Sequence, residues 1–514
     1  MKADAVLVLN FGGQYCHLIG RRIRDMGVYS EVVPNDITPE GIKGLSNNLN
    51  VKGIILSGGP SSIYDKDAPQ MDARILDMGL PVLGICYGHQ LLAKYLKGKV
   101  IRAPKQEYGI AHSRIRKTDA VLSGLGRVEQ VWMSHGDRVL SVPKGIDVLA
   151  STENCPIAAF SHSARRIFGV QWHPEVVHTR NGNKVLSNFV LDICGARKTW
   201  NATGTASKYV DEIKSRVGDR RAILAMSGGV DSSTAALIAS KALGKRLTAV
   251  FVDTGMMRKD EAKSIKAMAS RLGINLVVVD AAREFMAALR GVSDPEQKRK
   301  IIGREFIRSF EKVAKKVGAD YLIQGTIYPD RIESGKSSKS SVIKTHHNVG
   351  GIPEQIKFKG IIDPLRDLYK DEVRRLATKL GMPRQMVHRQ PFPGPGLAVR
   401  ILGEVTKEKL DMLRAAESIV SQEMERSGEA SKAWQYFAVL TGSRSTGVKG
   451  DARAYGHVIA IRSVDSTEAM TANFSRIPYD VLENISTRIT GEIPSVVRVV
   501  YDITNKPPST IEWE

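Results

Sequence analysis

Leu80-Pro81-Val82-Leu83-Gly84-Ile85-Cys86-Tyr87-Gly88 is the stretch that decides how this chain is read. Residues 80–83 form a short apolar run of the kind a buried strand makes, and residues 89–96 read as helix. A cysteine set between two glycines at a strand-to-helix turn is the cysteine form of a nucleophile elbow. The glycines tolerate a sharp backbone, so the thiol is expected to stand exposed above the sheet. It also lies at the positive end of the following helix, which favours thiolate. The bland alternative is a buried cysteine behaving as a small hydrophobe. What the chain carries elsewhere decides between the two.

Gln171-Trp172-His173-Pro174-Glu175 follows a second strand-like run, residues 166–170. Alternate residues of an extended segment face the same way, so His173 and Glu175 are expected to project together. An imidazole base with a carboxylate on its other nitrogen completes the logic of a Cys-His-acid triad. Ser57-Gly58-Gly59-Pro60 follows the strand-like residues 53–56 and offers bare backbone N–H groups for an oxyanion hole. Together these residues resemble the class I glutamine amidotransferases over about residues 1–195. The resemblance implies that Cys86 attacks the glutamine side-chain amide, His173 shuttles the proton and Glu175 orients it. It further implies that the N–H groups of Gly59 and Tyr87 stabilise the oxyanion, with glutamate and ammonia as products.

Beyond a Gly- and Thr-containing linker at residues 195–207, a second pattern begins. Residues 221–226 read as a buried parallel strand, and residues 234–243 as helix. Between them stands Ser227-Gly228-Gly229-Val230-Asp231-Ser232-Ser233, a phosphate cradle of N–H groups and hydroxyls at a helix N-terminus. It is not a Walker loop. The one candidate for that, Gly335-Lys336-Ser337, has Asp330 where the leading glycine belongs. The seven residues from Ser227 to Ser233 resemble the pyrophosphate loop of N-type ATP pyrophosphatases. That resemblance implies cleavage of ATP between its α- and β-phosphates, leaving AMP on the substrate, with Mg2+ bridging the pyrophosphate. The strand-like residues 247–252 end in Asp253-Thr254-Gly255, where a doubly wound sheet places a nucleotide-contacting loop.

Composition narrows the class. The chain has 514 residues, 42% hydrophobic and 25% charged, which suits a globular protein of about three domains. No apolar run reaches the roughly 18 residues of a membrane span, and the start lacks a secretory pattern. Cys16, Cys86, Cys155 and Cys194 are widely spaced, which argues against zinc ribbons, iron–sulfur sites and a disulfide framework. A reducing cytoplasm is expected. The net charge of +21 is one footprint of nucleic-acid binding, but the basic residues are spread without an aromatic-interleaved stripe. Nucleotide phosphates equally favour a positive cleft, so neither nucleic acid nor membrane is expected as a partner.

The acceptor of the ammonia is read from residues 290–514. His346 and His347 lack carboxylate or cysteine company at ligand spacing, so no protein metal site is assigned. A closing lid with Lys344 facing phosphate is expected there. Arg389-Gln390-Pro391-Phe392-Pro393-Gly394-Pro395-Gly396-Leu397 reads as rigid irregular backbone. Ile511 and Trp513 argue that the last residues dock instead of fraying. In this order the strings resemble the family of glutamine-hydrolysing GMP synthetases over essentially the whole chain. The family implies glutamine, ATP and xanthosine monophosphate (XMP) as substrates, adenylation of XMP at O2, displacement by ammonia, and a homodimer. Arg299, Lys506 and Glu512 resemble its acceptor contacts. Gln390 stands where histidine is commoner, and Lys449 where glutamine is expected in some members.

The expected fold is α/β throughout. It comprises a doubly wound amidotransferase domain at 1–197, a doubly wound ATP pyrophosphatase domain at 205–398, and an α+β dimerisation and acceptor-binding domain at 399–514. Three rivals are weighed. A glutamine-dependent NAD synthetase would lack the cysteine elbow with His-Pro-Glu. A tRNA-modifying pyrophosphatase would need a cysteine pair near the ATP loop, and residues 200–514 contain no cysteine. A non-enzymatic sensor would more readily have lost Cys86, His173 or the loop serines.

Overall fold

The computed structural model describes residues 2–118, 120–334, 358–466 and 471–514. The chain forms two compact units, Met1–Asn201 and Ala202–Glu514.

The first unit is built on nine strands: β1 (Ala3–Asn10), β2 (Tyr29–Pro34), β3 (Leu49–Leu56), β4 (Val82–Ile85), β5 (Lys99–Ile115), β6 (Val128–Ser141), β7 (Asp147–Ser151), β8 (Ala159–His162) and β9 (Ile167–Val170). Their order is β2-β1-β3-β4-β9-β8-β7-β5-β6. The first five pair in parallel, and the rest are antiparallel. Ala5, Val6, Leu7, Val8 and Leu9 of β1 are wholly buried, as a parallel strand covered on both faces must be. Burying each such aliphatic side chain contributes about 1.5–3 kcal/mol for the larger ones. The unit closes on itself where Asp4, at the start of β1, binds the Arg197 guanidinium at 3.1 Å and the Arg197 N–H at 2.9 Å. Trp200 then docks back, its N–H on the Gly27 carbonyl and its ring 4.9 Å from that of Tyr29.

The second unit carries a parallel sheet of β10 (Ala222–Ala225), β11 (Leu247–Asp253), β12 (Leu276–Asp280), β13 (Tyr321–Ile323) and β14 (Gly360–Ile362). Its order is β12-β11-β10-β13-β14, so the direction of winding reverses at β10. A second sheet follows, of β15 (Gln435–Lys449), β16 (Ala452–Asp465), β17 (Asn473–Phe474) and β18 (Val496–Asp502). β16 pairs antiparallel with β15 and β17 and parallel with β18. Between the two sheets in chain order runs helix Lys407–Arg426, capped by the Thr406 hydroxyl on Lys409 N–H. One hydrophobic core runs from Ile223 and Val250 through Leu397 and Ile401 to Leu413, Ile459 and Val496. The stretch expected to split at 398/399 therefore shares a single core.

Several elements extend beyond their sequence signal. β3 begins at Leu49 because pairing with β1 recruits residues 49–51. The helix expected from Thr234 starts at Val230. Residues 195–207 are not all linker: the end of the first unit, a short 3-10 turn (Ala202–Gly204) and the start of helix Thr205–Val217 share them.

Candidate active sites

In the first unit the loops after β1, β3, β4 and β9 all emerge at the carboxyl ends of parallel strands, where open α/β sheets bind ligands. Register brings two of them together. Gly84 pairs with Leu56 and Ile85 with Val170, which places Cys86 beside the start of the segment after β9. The Cys86 N–H donates to the Val170 carbonyl at 2.9 Å. Cys86 has φ 53° and ψ −105°, a conformation that costs a non-glycine residue about 1–3 kcal/mol. The flanking glycines are sterically required: a Cβ on Gly84 would sit 2.4 Å from the Gly88 carbonyl oxygen, and one on Gly88 2.5 Å from that of Leu56.

Two expectations are corrected here. Cys86 is buried, at 4% exposure, and does not stand exposed above the sheet; helix Tyr87–Tyr95 buries its first seven residues and draws the thiol in with it. Residues 171–175 are bend and turn, not extended strand. The turn, held by the Thr179 hydroxyl on the His173 carbonyl at 2.6 Å, brings His173 Nδ1 within 2.7 Å of Glu175 Oε1. The pairing was anticipated, and its geometry comes from another local structure.

The imidazole turns its other edge toward the elbow. A Cβ on Gly58 would lie 2.9 Å from His173 Cε1, 3.5 Å from Cys86 Cβ and 3.8 Å from His173 Nε2, so these three residues converge on one point. Burial would push the imidazole pKa down. The Glu175 carboxylate and the Cys86 sulfur, by charge and by hydrogen bonding, outweigh it and hold His173 well above its ordinary value. Gly59 lies against Tyr87, its Cβ position 3.4 Å from the Tyr87 ring. Tyr87 opens its helix, where N–H groups have no partner within the helix. Cys86 Sγ also lies 3.4 Å from the Ser134 carbonyl, and the Tyr15 ring packs edge-on 5.2 Å from His173. Ser134 and Tyr15 were missed because no local motif marks them.

In the second unit, residues 226–229 leave β10 at the reversal of winding and lead into helix Val230–Leu243. Gly228 has φ 80°, a glycine conformation. Ser227 Oγ and Ser232 Oγ lie 3.0 Å apart, and Ser232 Oγ also accepts the Ser227 N–H at 3.2 Å and donates to the Gly229 carbonyl at 3.2 Å. Ser227 and Gly229 are exposed, whereas Val230 and Ser233 are buried. Gly325, after β13, approaches the helix start so closely that a Cβ would lie 3.0 Å from Ser232 N. Lys370 Nζ binds Asp231 Oδ2 at 2.5 Å, while the buried Asp231 Oδ1 has no partner among the described residues. Lys370 was not anticipated.

The residues expected at the acceptor are placed as follows. Arg299 donates to the Glu514 carbonyl, and the neighbouring Lys298, wholly buried, binds Glu514 Oε2 and the Ile401 carbonyl (2.6 Å). Lys506 exchanges backbone hydrogen bonds with Ala472 at 2.7 and 3.0 Å. The chain then turns, with Ser509 N–H on the Asn505 carbonyl at 3.1 Å. Glu512 is held by Arg400 at 2.9 and 3.0 Å. Ile511 is buried, and Trp513 Nε1 donates to Asp502 at 3.0 Å, so this segment is docked. Lys344 lies outside the described residues.

Comparisons with known proteins fit the two units. The family model for glutamine amidotransferase class-I matches residues 7–193. The model for NAD synthase matches 204–313, and that for the GMP synthase C terminal domain matches 422–513. The glutamine-hydrolysing GMP synthase of Caldicellulosiruptor saccharolyticus is 52% identical over 516 residues, covering 100% of both chains. That of Aeropyrum pernix is 52% identical over 515 residues, covering 100% of this chain and 99% of its own. The chain belongs to the glutamine-hydrolysing GMP synthases.

Membership makes this chain an enzyme, a ligase, and the NAD synthase match over 204–313 spans the Ser227–Ser233 loop. Gln390 and Lys449 both have local partners. Gln390 Oε1 accepts the Tyr436 N–H at 2.9 Å. Lys449 Nζ donates to the Thr490 and Pro494 carbonyls at 2.8 and 2.9 Å, at the end of helix Tyr479–Glu492. No helix among the described residues is long and apolar enough to cross a membrane.

Proposed function

We propose that the chain converts XMP, glutamine, ATP and water into GMP, AMP, pyrophosphate and glutamate. The observation that carries the amidase half is the convergence of Cys86, His173 and Gly58, with Glu175 on the far imidazole nitrogen. Cys86 Sγ attacks the side-chain amide carbon of glutamine. The N–H groups of Gly59 and Tyr87 receive the oxyanion, a contribution of about 10²–10³ in rate per donor. His173, kept protonated by Glu175, gives its proton to the departing ammonia and then draws one from the water that frees glutamate.

In the second unit XMP O2 attacks the α-phosphorus of ATP while the Ser227–Ser233 loop holds the pyrophosphate. Ammonia from the first unit then adds at C2 and AMP leaves. The unpartnered Asp231 Oδ1 is an oxygen donor suited to a hard cation, so Asp231 fits a role in holding Mg2+. Mg2+ supplies charge neutralisation of the pyrophosphate. Arg299, Lys506 and Glu512 serve the acceptor, Lys344 a closing lid, and two copies of the chain a homodimer in the cytoplasm.

The test is incubation of the protein with glutamine, ATP and Mg2+ together with XMP, deamido-NAD or tRNA in turn. AMP and pyrophosphate should form with XMP alone. ADP and orthophosphate as products, or AMP formation with another acceptor, would overturn the assignment.

A further inference from the structure

Arg400 follows the Pro-Gly loop and is wholly buried. Its Nε and Nη2 grip the two oxygens of Glu512 at 3.0 and 2.9 Å, and Nη1 donates to Glu417 Oε1 at 3.1 Å. The guanidinium carbon lies 4.0 Å from the centroid of the Phe437 ring and 5.4 Å from that of Phe392. Glu417 is itself fixed, its other oxygen accepting the Ala438 N–H at 2.8 Å. Gln435 Nε2 adds a donor to Glu512 Oε1 at 2.9 Å and reaches the Pro391 carbonyl at 3.3 Å. Glu512 nevertheless keeps its side chain 21% exposed. A buried ion pair is a poor device for stability, since apolar packing serves that purpose as well. What a planar fork supplies is orientation.

We propose that Arg400 is a positioning residue for the acceptor nucleotide, with Gln435 assisting, and that it fixes the angle at which the exposed part of the Glu512 carboxylate meets the acceptor's purine edge or ribose. The inference rests on the reading of Glu512 as an acceptor contact. Lysine at 400 keeps the charge but cannot form the fork. Arg400→Lys should therefore raise the KM for XMP about tenfold or more, with the KM for ATP and kcat at saturating XMP little changed. Gln435→Met leaves the ion pair intact and should raise the KM for XMP about three- to tenfold. Because Arg400 acts through Glu512, the Arg400→Lys/Glu512→Gln pair should be little worse than Glu512→Gln alone.

The arms separate two failures. If Glu512→Gln leaves the KM for XMP unchanged, Glu512 is not an acceptor contact and the proposal goes with it. If Glu512→Gln raises it while Arg400→Lys and Gln435→Met do not, or if the cycle is additive, Arg400 does not position Glu512 although the acceptor reading stands. Should Arg400→Lys not fold, Glu417→Gln, which weakens the anchor on Arg400 Nη1 without touching Glu512, takes its place in the cycle with Glu512→Gln, and an unchanged KM for XMP in Glu417→Gln would overturn the positioning role.

Discussion

His173 shows how a single residue acquires its chemistry from its neighbours. A histidine this buried would ordinarily be neutral at physiological pH, because desolvation disfavours the imidazolium. The Glu175 carboxylate at 2.7 Å and the Cys86 sulfur reverse that sign and hold the pKa well above its ordinary value. A raised folded-state pKa adds stability that is fully present below the unfolded value of about 6.5 and disappears as pH rises through the folded pKa. Glu175→Gln removes the charge that contributes most to holding the imidazolium. The alkaline limb of the pH profile for glutamine hydrolysis should then move to lower pH, and the stability gained at pH 6 relative to pH 9 should shrink. Rate profiles and thermal midpoints at the two pH values check both. An alkaline limb that stays in place would mean that Glu175 does not set the protonation of His173.

At the scale of elements, each site is a loop at the carboxyl end of a parallel strand. This is why so much could be read from sequence: the elbow and the Ser227–Ser233 loop are contiguous strings whose glycines answer backbone-conformation and close-packing demands. Gly228 illustrates the demand, with φ 80° and a Cβ position 2.5 Å from Ile265 Cδ1. Gly228→Ala should cost about 2–5 kcal/mol from left-handed strain and overpacking together. It should reduce synthesis with glutamine and with ammonium alike, and leave glutamine hydrolysis in place. Thermal unfolding and the three activities measure this; undiminished ammonium-dependent synthesis would show the loop to be uninvolved. What stayed illegible was tertiary. Lys370 meets Asp231 across 139 residues, and Arg400 meets Glu512 across 112. No periodicity or spacing encodes such a meeting, because it depends on how β13, β14 and the Pro-Gly loop return to the sheet. The pairing of His173 with Glu175 was legible for a different reason: two residues apart, they meet in a turn as readily as in a strand.

Across the whole molecule, the proposed nucleophile and the proposed nucleotide loop occupy different compact units, the first built on one sheet and the second on two, each unit with its own core. The net charge of +21 suits a protein whose proposed substrates and products include a triphosphate, a monophosphate and pyrophosphate. Separate units imply separable losses. In the proposed mechanism Cys86→Ala removes the sulfur that attacks glutamine and leaves the second unit unaltered. Glutamine-dependent GMP formation should vanish, and ammonium salts should restore it at raised pH, where free NH3 is more abundant. Asp231→Asn is the converse. In the proposed sequence adenylation precedes amination whatever the nitrogen source, so weakening the proposed Mg2+ ligand should lower synthesis with both donors alike. Glutamine hydrolysis through Cys86 should persist in that variant. Measuring hydrolysis and both syntheses in each folded variant gives a two-by-three pattern. If Cys86→Ala abolished ammonium-dependent synthesis as well, the cysteine would be acting in nucleotide chemistry, and the division of labour between the units would be wrong.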